Sequence, residues 1–137
     1  MIDINVTGTF IVGRAAACIM KAQGVGAIVN IASIAGLHAF KERAACGTPK
    51  SAAVVLTQVM AVDLSRYGIR VSAIAPGPVD TSPVKAMQPA EVRGAVIHHT
   101  PMHRYAVPKE IATAVVCSMA RNRASSAGWT AASSAPA

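Results

Sequence analysis

The sequence has few aromatic and few charged residues. Aromatic residues make up 4% of the 137 residues and charged residues 14%, against 53% apolar residues. So large an apolar share excludes an intrinsically disordered chain, and the length suffices for one domain that buries about two-thirds of its unfolded surface. Because aromatics are scarce, alanine, valine and isoleucine must fill the core, which suits closely packed layers of helices on a sheet.

Cysteine is also scarce, and its three copies lie far apart at Cys18, Cys46 and Cys117. An odd number at that spacing indicates neither a disulfide framework nor a metal-binding pair, and it is typical of a reducing compartment. We therefore expect a cytoplasmic protein. The clustered histidines at positions 98, 99 and 103 have no cysteine or carboxylate at ligand spacing, so we expect no metal site.

No apolar run reaches the length of a transmembrane helix, because charged residues such as Arg14, Lys21 and Asp63 interrupt the longer ones. We therefore expect no membrane association. The net charge of +7 is spread along the chain, and no aromatic residues alternate with the basic ones to stack on bases. A solvated surface accounts for this charge better than nucleic-acid binding does, although a phosphorylated cofactor or an acidic carrier protein would also suit a basic face.

Two short apolar runs, residues 27–32 and 69–75, have the β-branched composition of buried parallel strands. Helical periodicity surrounds these runs, at residues 4–21, 49–67 and 89–97 and from Pro108 onward. Alternating helices and strands predict the α/β class, with parallel strands joined by right-handed crossovers. Two strands are few for such a sheet, and both of its edges would be bare.

Four segments fall in the order and spacing of a known family. They are INVTGTF at 4–10, IVNIASIAG at 28–36, CGTPK at 46–50 and GIRVSAIAPGPVDT at 68–81. Together they resemble the second half of the short-chain dehydrogenase/reductase family over about residues 2–120, and especially its 3-oxoacyl-[acyl-carrier-protein] reductases and sugar or secondary-alcohol dehydrogenases. The resemblance implies the C-terminal part of a Rossmann-like, doubly wound parallel sheet. It also implies NAD or NADP as cofactor and a small-molecule carbonyl or alcohol as substrate.

The resemblance implies a role for each matched residue. Asn5 matches the asparagine that kinks its helix and holds a proton-relay water, and Ser33 matches the serine that hydrogen-bonds the substrate oxygen. Lys50 matches the lysine that binds the nicotinamide ribose and lowers the pKa of a catalytic tyrosine. The loop that touches the nicotinamide carboxamide corresponds to Pro76, Gly77 and Thr81. Each residue alone would be an ordinary polar or loop residue, so the joint spacing carries the interpretation: 28 residues from Asn5 to Ser33 and 17 from Ser33 to Lys50.

The position of the catalytic tyrosine, four residues before Lys50, holds Cys46. A thiol is acidic enough for proton transfer, but cysteine is several ångströms shorter than tyrosine and its S–H is a weak donor. We therefore expect Cys46 to be a poor general acid. Thr48 and Pro49 form a good N-cap and N1 pair, which predicts a helix start at Pro49. Cys46 and Lys50 would then not share a helical face.

The glycine-rich turn that would hold the pyrophosphate of the cofactor does not occur in the sequence. Residues 1–123 are therefore interpreted as a partial domain, truncated before its dinucleotide-binding half, that binds neither NAD nor NADP tightly. From Ala124 the chain is rich in alanine and serine. Where the family usually has a Val-Asp-Gly-Gly segment this chain has WTAAS at 129–133, so residues 124–137 are predicted to be a disordered or frameshifted tail.

The sequence leaves three interpretations of the protein's role open. The first is a truncated, inactive oxidoreductase whose ancestor interconverted a carbonyl and an alcohol by hydride transfer. The second is a non-catalytic module that pairs through the helices at 4–21 and 49–67, where the resembled family forms subunit contacts, so that a homo-oligomer is expected. The third is a gene fragment without function.

Overall fold

The computed structural model describes residues 1–120 of the chain. Its strands are β1 (Gly26–Ile31) and β2 (Ile69–Ile74), and its helices are α1 (Thr9–Gln23), α2 (Ala44–Ser65), α3 (Ser82–Met87), α4 (Ala90–His99) and α5 (Pro108–Ala120). A π-helical segment, Asp3–Gly8, runs directly into α1, and a 3₁₀ turn, Ile34–Gly36, follows β1. The predicted tail from residue 124, with its interpretation as frameshifted sequence, lies outside the described residues.

The two strands form a parallel pair, as predicted. Gly26 lies opposite Ile69, and the register continues to Ile31 opposite Ile74. Since α2 connects one strand to the next, chain order is helix, strand, helix, strand, helix. The α/β class and the partial, doubly wound arrangement with two strands and three main helices are confirmed. Of the two short helices, α4 was predicted near 89–97 and α3 was not.

The first two helices pack on one face of the sheet. Ala17 of α1 and Leu64 of α2 form an apolar cluster with Ile69 and Val71 of β2. All four residues are at most 8% exposed. Their burial removes apolar surface from water, which is the dominant stabilising contribution to such a layer.

Helix α5 covers the other face. Successive side chains of a strand point to opposite faces, so Arg70 and Ser72 lie on the face opposite Val71. Arg70 Nη1 donates to the Ser118 carbonyl of α5 at 3.1 Å, and the Ser72 and Ser118 hydroxyls hydrogen-bond at 2.8 Å. The guanidinium also satisfies a carbonyl at the end of this helix, where a positive charge is favourable.

The outward faces of α1 and α2 are apolar too. The residues that are more than half exposed there are Ile11, Val12, Ile19, Val55, Val59 and Val62. Within α2, Met60 and Leu64 face the sheet, whereas Val59 and Val62 face away from it. Within residues 1–120, no helix is both long and apolar enough to cross a lipid bilayer.

The predicted helix start at Pro49 is wrong. Helix α2 begins at Ala44, and its first turn is closed by the N–H groups of Cys46 and Gly47, which donate to the Arg43 carbonyl at 3.0 and 2.6 Å. Pro49 lies fully buried in the second turn, where it has no N–H to offer the carbonyl four residues earlier. Contacts of the first turn with the 3₁₀ turn, described below, outweigh the local preference for a start at proline.

Candidate active site

The carboxyl ends of the two strands bring predicted site residues together. Ser33 follows β1, and Pro76 follows β2. The Ile34 N–H donates to the Pro76 carbonyl at 3.1 Å, so the two strand ends are joined directly. Ligands of open α/β sheets bind beyond the carboxyl ends of the strands. Both residues therefore lie where a ligand is expected.

Ser33 caps the 3₁₀ turn with its side chain. Its backbone is extended, and its Oγ accepts a hydrogen bond from the Ala35 N–H at 3.2 Å. This bond orients the hydroxyl but uses only an acceptor lone pair, so the O–H can still donate to a substrate oxygen. Ser33 as a whole is half-buried.

Two glycines let the 3₁₀ turn lie directly on the first turns of α2. A Cβ at Gly47 would stand 2.7 Å from the Ala35 carbonyl oxygen, and a Cβ at Gly36 would stand 2.6 Å from the backbone of Lys50. The Ser51 hydroxyl also donates to the Gly36 carbonyl at 3.0 Å. Ser33 is thereby held close to the helix that carries Cys46 and Lys50. The sequence did not predict these contacts, because they join the 3₁₀ turn to α2, and no local pattern around a glycine shows which distant residue packs against it.

Cys46 and Lys50 lie one helical turn apart within α2. Residues four apart point to the same side of a helix, so the expectation that these two would not share a face is wrong. The reason is the earlier helix start at Ala44, which places Cys46 inside the first turn rather than before it.

The Lys50 ammonium lies at the carboxyl end of β1. Its Nζ donates to the Ile31 carbonyl at 2.9 Å. The Ala32 N–H donates to Ile74 of β2, and the two groups of one trans peptide point in opposite directions. The Ile31 carbonyl therefore faces the edge of β1 that is turned away from β2, and Lys50 marks that edge.

The Cys46 thiol is half-buried and is not part of a disulfide. The hydrogen bonds of its neighbours go to backbone atoms: Ser33 accepts from Ala35, and Lys50 donates to Ile31. A thiol ends several ångströms short of the position that a phenol oxygen would reach from the same Cα atom. The geometry thus brings Ser33, Cys46 and Lys50 onto adjoining segments, and the side chain at position 46 is a short thiol.

Asn5 lies in the π-helical segment, which packs against α2. Its N–H and its Nδ2 both donate to the Met1 carbonyl, at 3.1 and 3.0 Å, and the Thr9 hydroxyl donates to the Asn5 carbonyl at 2.7 Å. Single π-helical turns inside α-helices occur frequently at functional sites. Asn5 therefore lies in an irregular helical segment before α1, and its role in a proton relay stays a prediction.

The loop 76–81 after β2 contains the remaining predicted residues. Pro76 is buried, Gly77 is half-buried, and Thr81 precedes α3 in an extended conformation. Asp80, in the same loop, forms ion pairs with two basic side chains. Its Oδ2 lies 3.1 Å from Lys85 Nζ, and its Oδ1 lies 3.1 Å from Arg93 Nη2. The Lys85 ammonium, followed by the Arg93 guanidinium, holds the pKa of the Asp80 carboxyl below its usual value. Sequence reasoning did not identify Asp80 or Arg93, since 13 residues separate them.

A cavity of about 290 Å³ lies between this loop and α5. Its wall is mostly apolar, with Ile74, Ile111 and Ala114 among the lining residues, and Arg104 and Glu110 supply polar groups. Arg104 and Glu110 form a two-pronged ion pair with N–O distances of 2.9 and 2.6 Å. The Arg104 guanidinium, together with the Val107 N–H, lowers the pKa of Glu110 to about 2. This carboxylate caps the first turn of α5.

The residues at the strand ends fit one end of a nicotinamide cofactor. The Lys50 ammonium, held by the Ile31 carbonyl, would be available to ribose hydroxyls, and Pro76 and Gly77 lie at the neighbouring strand end. The phosphate end has no counterpart here, because the sequence contains no glycine-rich turn. Among the described residues, no group of three or more His, Cys, Asp and Glu side chains is placed to hold a metal ion.

Known proteins of one family match most of this chain. A family model described as enoyl-(acyl carrier protein) reductase matches residues 1–128. Cis-4-hydroxycyclohexanecarboxylate dehydrogenase of Sinomonas cyclohexanicum is 39% identical over 115 residues, which are 84% of this chain and 46% of that enzyme. The chain spans about half the length of the curated relatives it matches.

Solved structures give the same result. A 3-oxoacyl-[acyl-carrier protein] reductase from Brucella melitensis is 31% identical, with a TM-score of 0.86 over 96% of this chain and 49% of that one. An NAD⁺-bound xylitol dehydrogenase is 36% identical, with a TM-score of 0.80 over 88% of this chain and 52% of that one. Because the family model matches most of the chain, and because these relatives share its fold, the chain belongs to the short-chain dehydrogenase/reductase family.

Proposed function

We propose that this chain carries the active-site half of an NAD(P)-dependent oxidoreductase that interconverts a carbonyl and an alcohol, and that Cys46 leaves it with little or no turnover. The observation that carries the proposal is the packing of the Ser33 turn on the first turns of α2. It holds Ser33 beside the helical face that presents Cys46 and Lys50.

In this proposal Ser33 binds the oxygen of the substrate. Its hydroxyl is oriented by the Ala35 N–H and can donate to a carbonyl oxygen. Such a hydrogen bond strengthens as negative charge develops on that oxygen, which is how a donor fixed in advance lowers a barrier.

Lys50 binds the nicotinamide ribose, and Pro76, Gly77 and Thr81 contact the carboxamide. When bound, the cofactor accepts or supplies the hydride. The Lys50 ammonium is already held at the carboxyl end of β1 by the Ile31 carbonyl. A ribose hydroxyl that approaches this edge can therefore accept a hydrogen bond from the Lys50 ammonium, in place of the Ile31 carbonyl or together with it. Asn5 holds a water that passes protons to Lys50, supported by its place in the π segment against α2.

Cys46 is the reason to expect little turnover. It occupies the only position with the spacing of the family's general acid relative to Ser33 and Lys50, and its thiol is too short to reach an oxygen bound by Ser33. General acid–base groups typically contribute a factor of about 10² to 10⁴ to a rate. We expect the loss to be of that order.

The exposed apolar faces of α1 and α2 favour a second role, pairing with another copy of the chain. Val55, Val59 and Val62 on α2 and Ile11 and Ile19 on α1 are each more than half exposed. Residues four and seven apart lie on one side of a helix, and apolar side chains grouped on an exposed face favour interaction with another surface. The role needs neither cofactor nor catalysis, so it would suit a module without activity as well as an oligomeric enzyme.

Three thiols outside any disulfide agree with a reducing, cytoplasmic environment.

The test is a fusion of this chain to the nucleotide-binding half of an active relative. With Cys46 in place, we expect ketone reduction near background, and the Cys46→Tyr substitution should raise kcat by about 10² to 10⁴. No change at Pro49 should be needed, because Cys46 and Lys50 already share a helical face.

Cys18→Tyr is the matched control, since Cys18 is an exposed residue of α1. It should leave the rate at background. Equal and substantial activity with Cys46 and with Tyr at that position would show that the catalytic position has been misassigned.

A further inference from the structure

Residues 82–99, which comprise α3 and α4, touch the rest of the molecule at few points. In the part of the chain that the structure describes, neither helix brings a Cα atom within 8 Å of the strands or of the other helices. Burial of a helix face against the sheet therefore does not fix their position. Side-chain contacts at the base of the segment must do so.

These contacts form one cluster, the Asp80 clamp. Asp80 binds Lys85 and Arg93, each at 3.1 Å. The Arg93 guanidinium lies over the Tyr105 ring, 4.5 Å from its centroid, and the Tyr105 hydroxyl donates to Gln88 Oε1 at 2.8 Å. Tyr105 is only 7% exposed. The clamp thus joins α3 and α4 to two residues at their base, Asp80 and Tyr105.

Backbone hydrogen bonds join Tyr105 and its neighbours to the loop 76–81. The Asp80 N–H donates to the Ala106 carbonyl at 2.8 Å, and the Ala106 N–H donates to the Pro78 carbonyl at 2.9 Å. The segment 82–104 therefore begins near Asp80 and ends near Ala106, and these two residues are hydrogen-bonded neighbours. Any group that binds Asp80 and Tyr105 together acts on the conformation of this loop.

The two cations of the clamp differ in their surroundings. The Lys85 side chain is 61% exposed, whereas that of Arg93 is 25% exposed. Arg93 Nη1 is buried and donates to no group among residues 1–120. A buried donor without a partner is unfavourable, so its position is maintained by the Asp80 carboxylate and the Tyr105 ring. Exposed ion pairs contribute little, which leaves Arg93 as the cation that orders the clamp.

We infer that Arg93 is a positioning residue, which acts through Asp80 to hold Pro76, Gly77 and Thr81 in place at the carboxyl end of β2. The inference rests on the proposed function in one respect, namely that this loop contacts the cofactor. Arg93 itself touches no residue assigned to catalysis.

Amide hydrogen exchange of the 137-residue chain, resolved by NMR, tests this coupling without cofactor. Arg93→Met keeps an unbranched apolar stem and removes the guanidinium with its charge, and we expect the amides of Asp80 and Thr81 to exchange about fivefold faster, a factor that reflects a part-exposed ion pair. Arg93→Lys restores the charge and should bring both rates back to within about twofold of the original. The matched control Lys85→Met should also stay within about twofold, because that side chain is largely exposed.

The pattern separates positioning from packing. If Arg93 acts only by filling space, Arg93→Met and Arg93→Lys, whose side chains have similar volumes, will change the Asp80 and Thr81 rates equally, and the inference is overturned. It is also overturned if Lys85→Met has the larger effect.

Should Arg93→Met fail to fold, the unaltered chain gives the answer. Raising sodium chloride from 0.05 to 1 M screens part-exposed ion pairs, and it should speed exchange at Asp80 and Thr81 but not at the amides of β2. Equal response of both sets contradicts the inference. Because no cofactor is present, failure here leaves the catalytic proposal standing, and an inactive Cys46→Tyr fusion leaves this inference standing.

Discussion

Replacing Gly47 by alanine tests the packing on which the candidate site depends. Two effects oppose each other. Alanine is favoured over glycine in a helix by at most about 1 kcal/mol, which would stabilise α2. The added Cβ, however, would stand 2.7 Å from the Ala35 carbonyl oxygen, and a backbone atom cannot rotate away as a side chain can. Overpacking of this kind costs about 1–3 kcal/mol.

The steric effect is therefore expected to win, and Gly47→Ala should lower the free energy of unfolding by up to about 2 kcal/mol. Gly94→Ala is the matched control, because Gly94 also lies within a helix and a Cβ there would meet nothing within 4 Å. It should stabilise the chain by up to about 1 kcal/mol. Urea unfolding followed by circular dichroism at 222 nm measures both variants.

Stabilisation by both substitutions would refute the reasoning, since it would mean that the Ser33 turn does not lie against α2. The functional counterpart uses the Cys46→Tyr fusion. There Gly47→Ala should reduce kcat, because it moves the turn that carries Ser33 away from Lys50. An unchanged kcat would separate the fold of this region from its proposed chemistry.

Three further outcomes are expected. Glu110→Gln should lower the melting temperature at neutral pH. Arg104 depresses the pKa of Glu110 from 4.5 to about 2. The difference in melting temperature between the original protein and the variant should therefore be at its maximum above pH 4.5 and should vanish as the pH falls through 2. A difference in melting temperature that grows with acidification would contradict this. Thr57→Val removes the acceptor of the buried Asn30 Nδ2, 2.9 Å away, and should cost about 1–3 kcal/mol. Thr113→Val, at an exposed hydroxyl, should cost less than about 0.5 kcal/mol, and equal costs would dismiss the role of burial. Titration calorimetry of the chain alone should detect no tight NAD or NADP binding, because no glycine-rich turn is available for the pyrophosphate; low-micromolar binding would contradict that expectation.

Local sequence patterns sufficed for much of the fold. The β-branched runs that contain Ile28 and Val71 predicted the two parallel strands, and the helical periodicity of residues 4–21 predicted α1. These features depend on residues within a few positions of each other, which a single sequence displays directly. The spacing of Asn5, Ser33, Cys46 and Lys50 also allowed the family to be identified before any geometry was known.

Contacts between distant segments could not be predicted in this way. The pattern Thr48-Pro49 favoured a late start for α2, and only the close approach of Gly47 to Ala35 explains the earlier one. The bond from Lys50 to Ile31 spans 19 residues, and the pair of Arg93 with Asp80 spans 13. The sequence by itself determined which residue types could serve at the strand ends. The tertiary structure decided which of them meet, because packing between elements is set by shape and by backbone hydrogen bonds that leave no periodic trace along the chain.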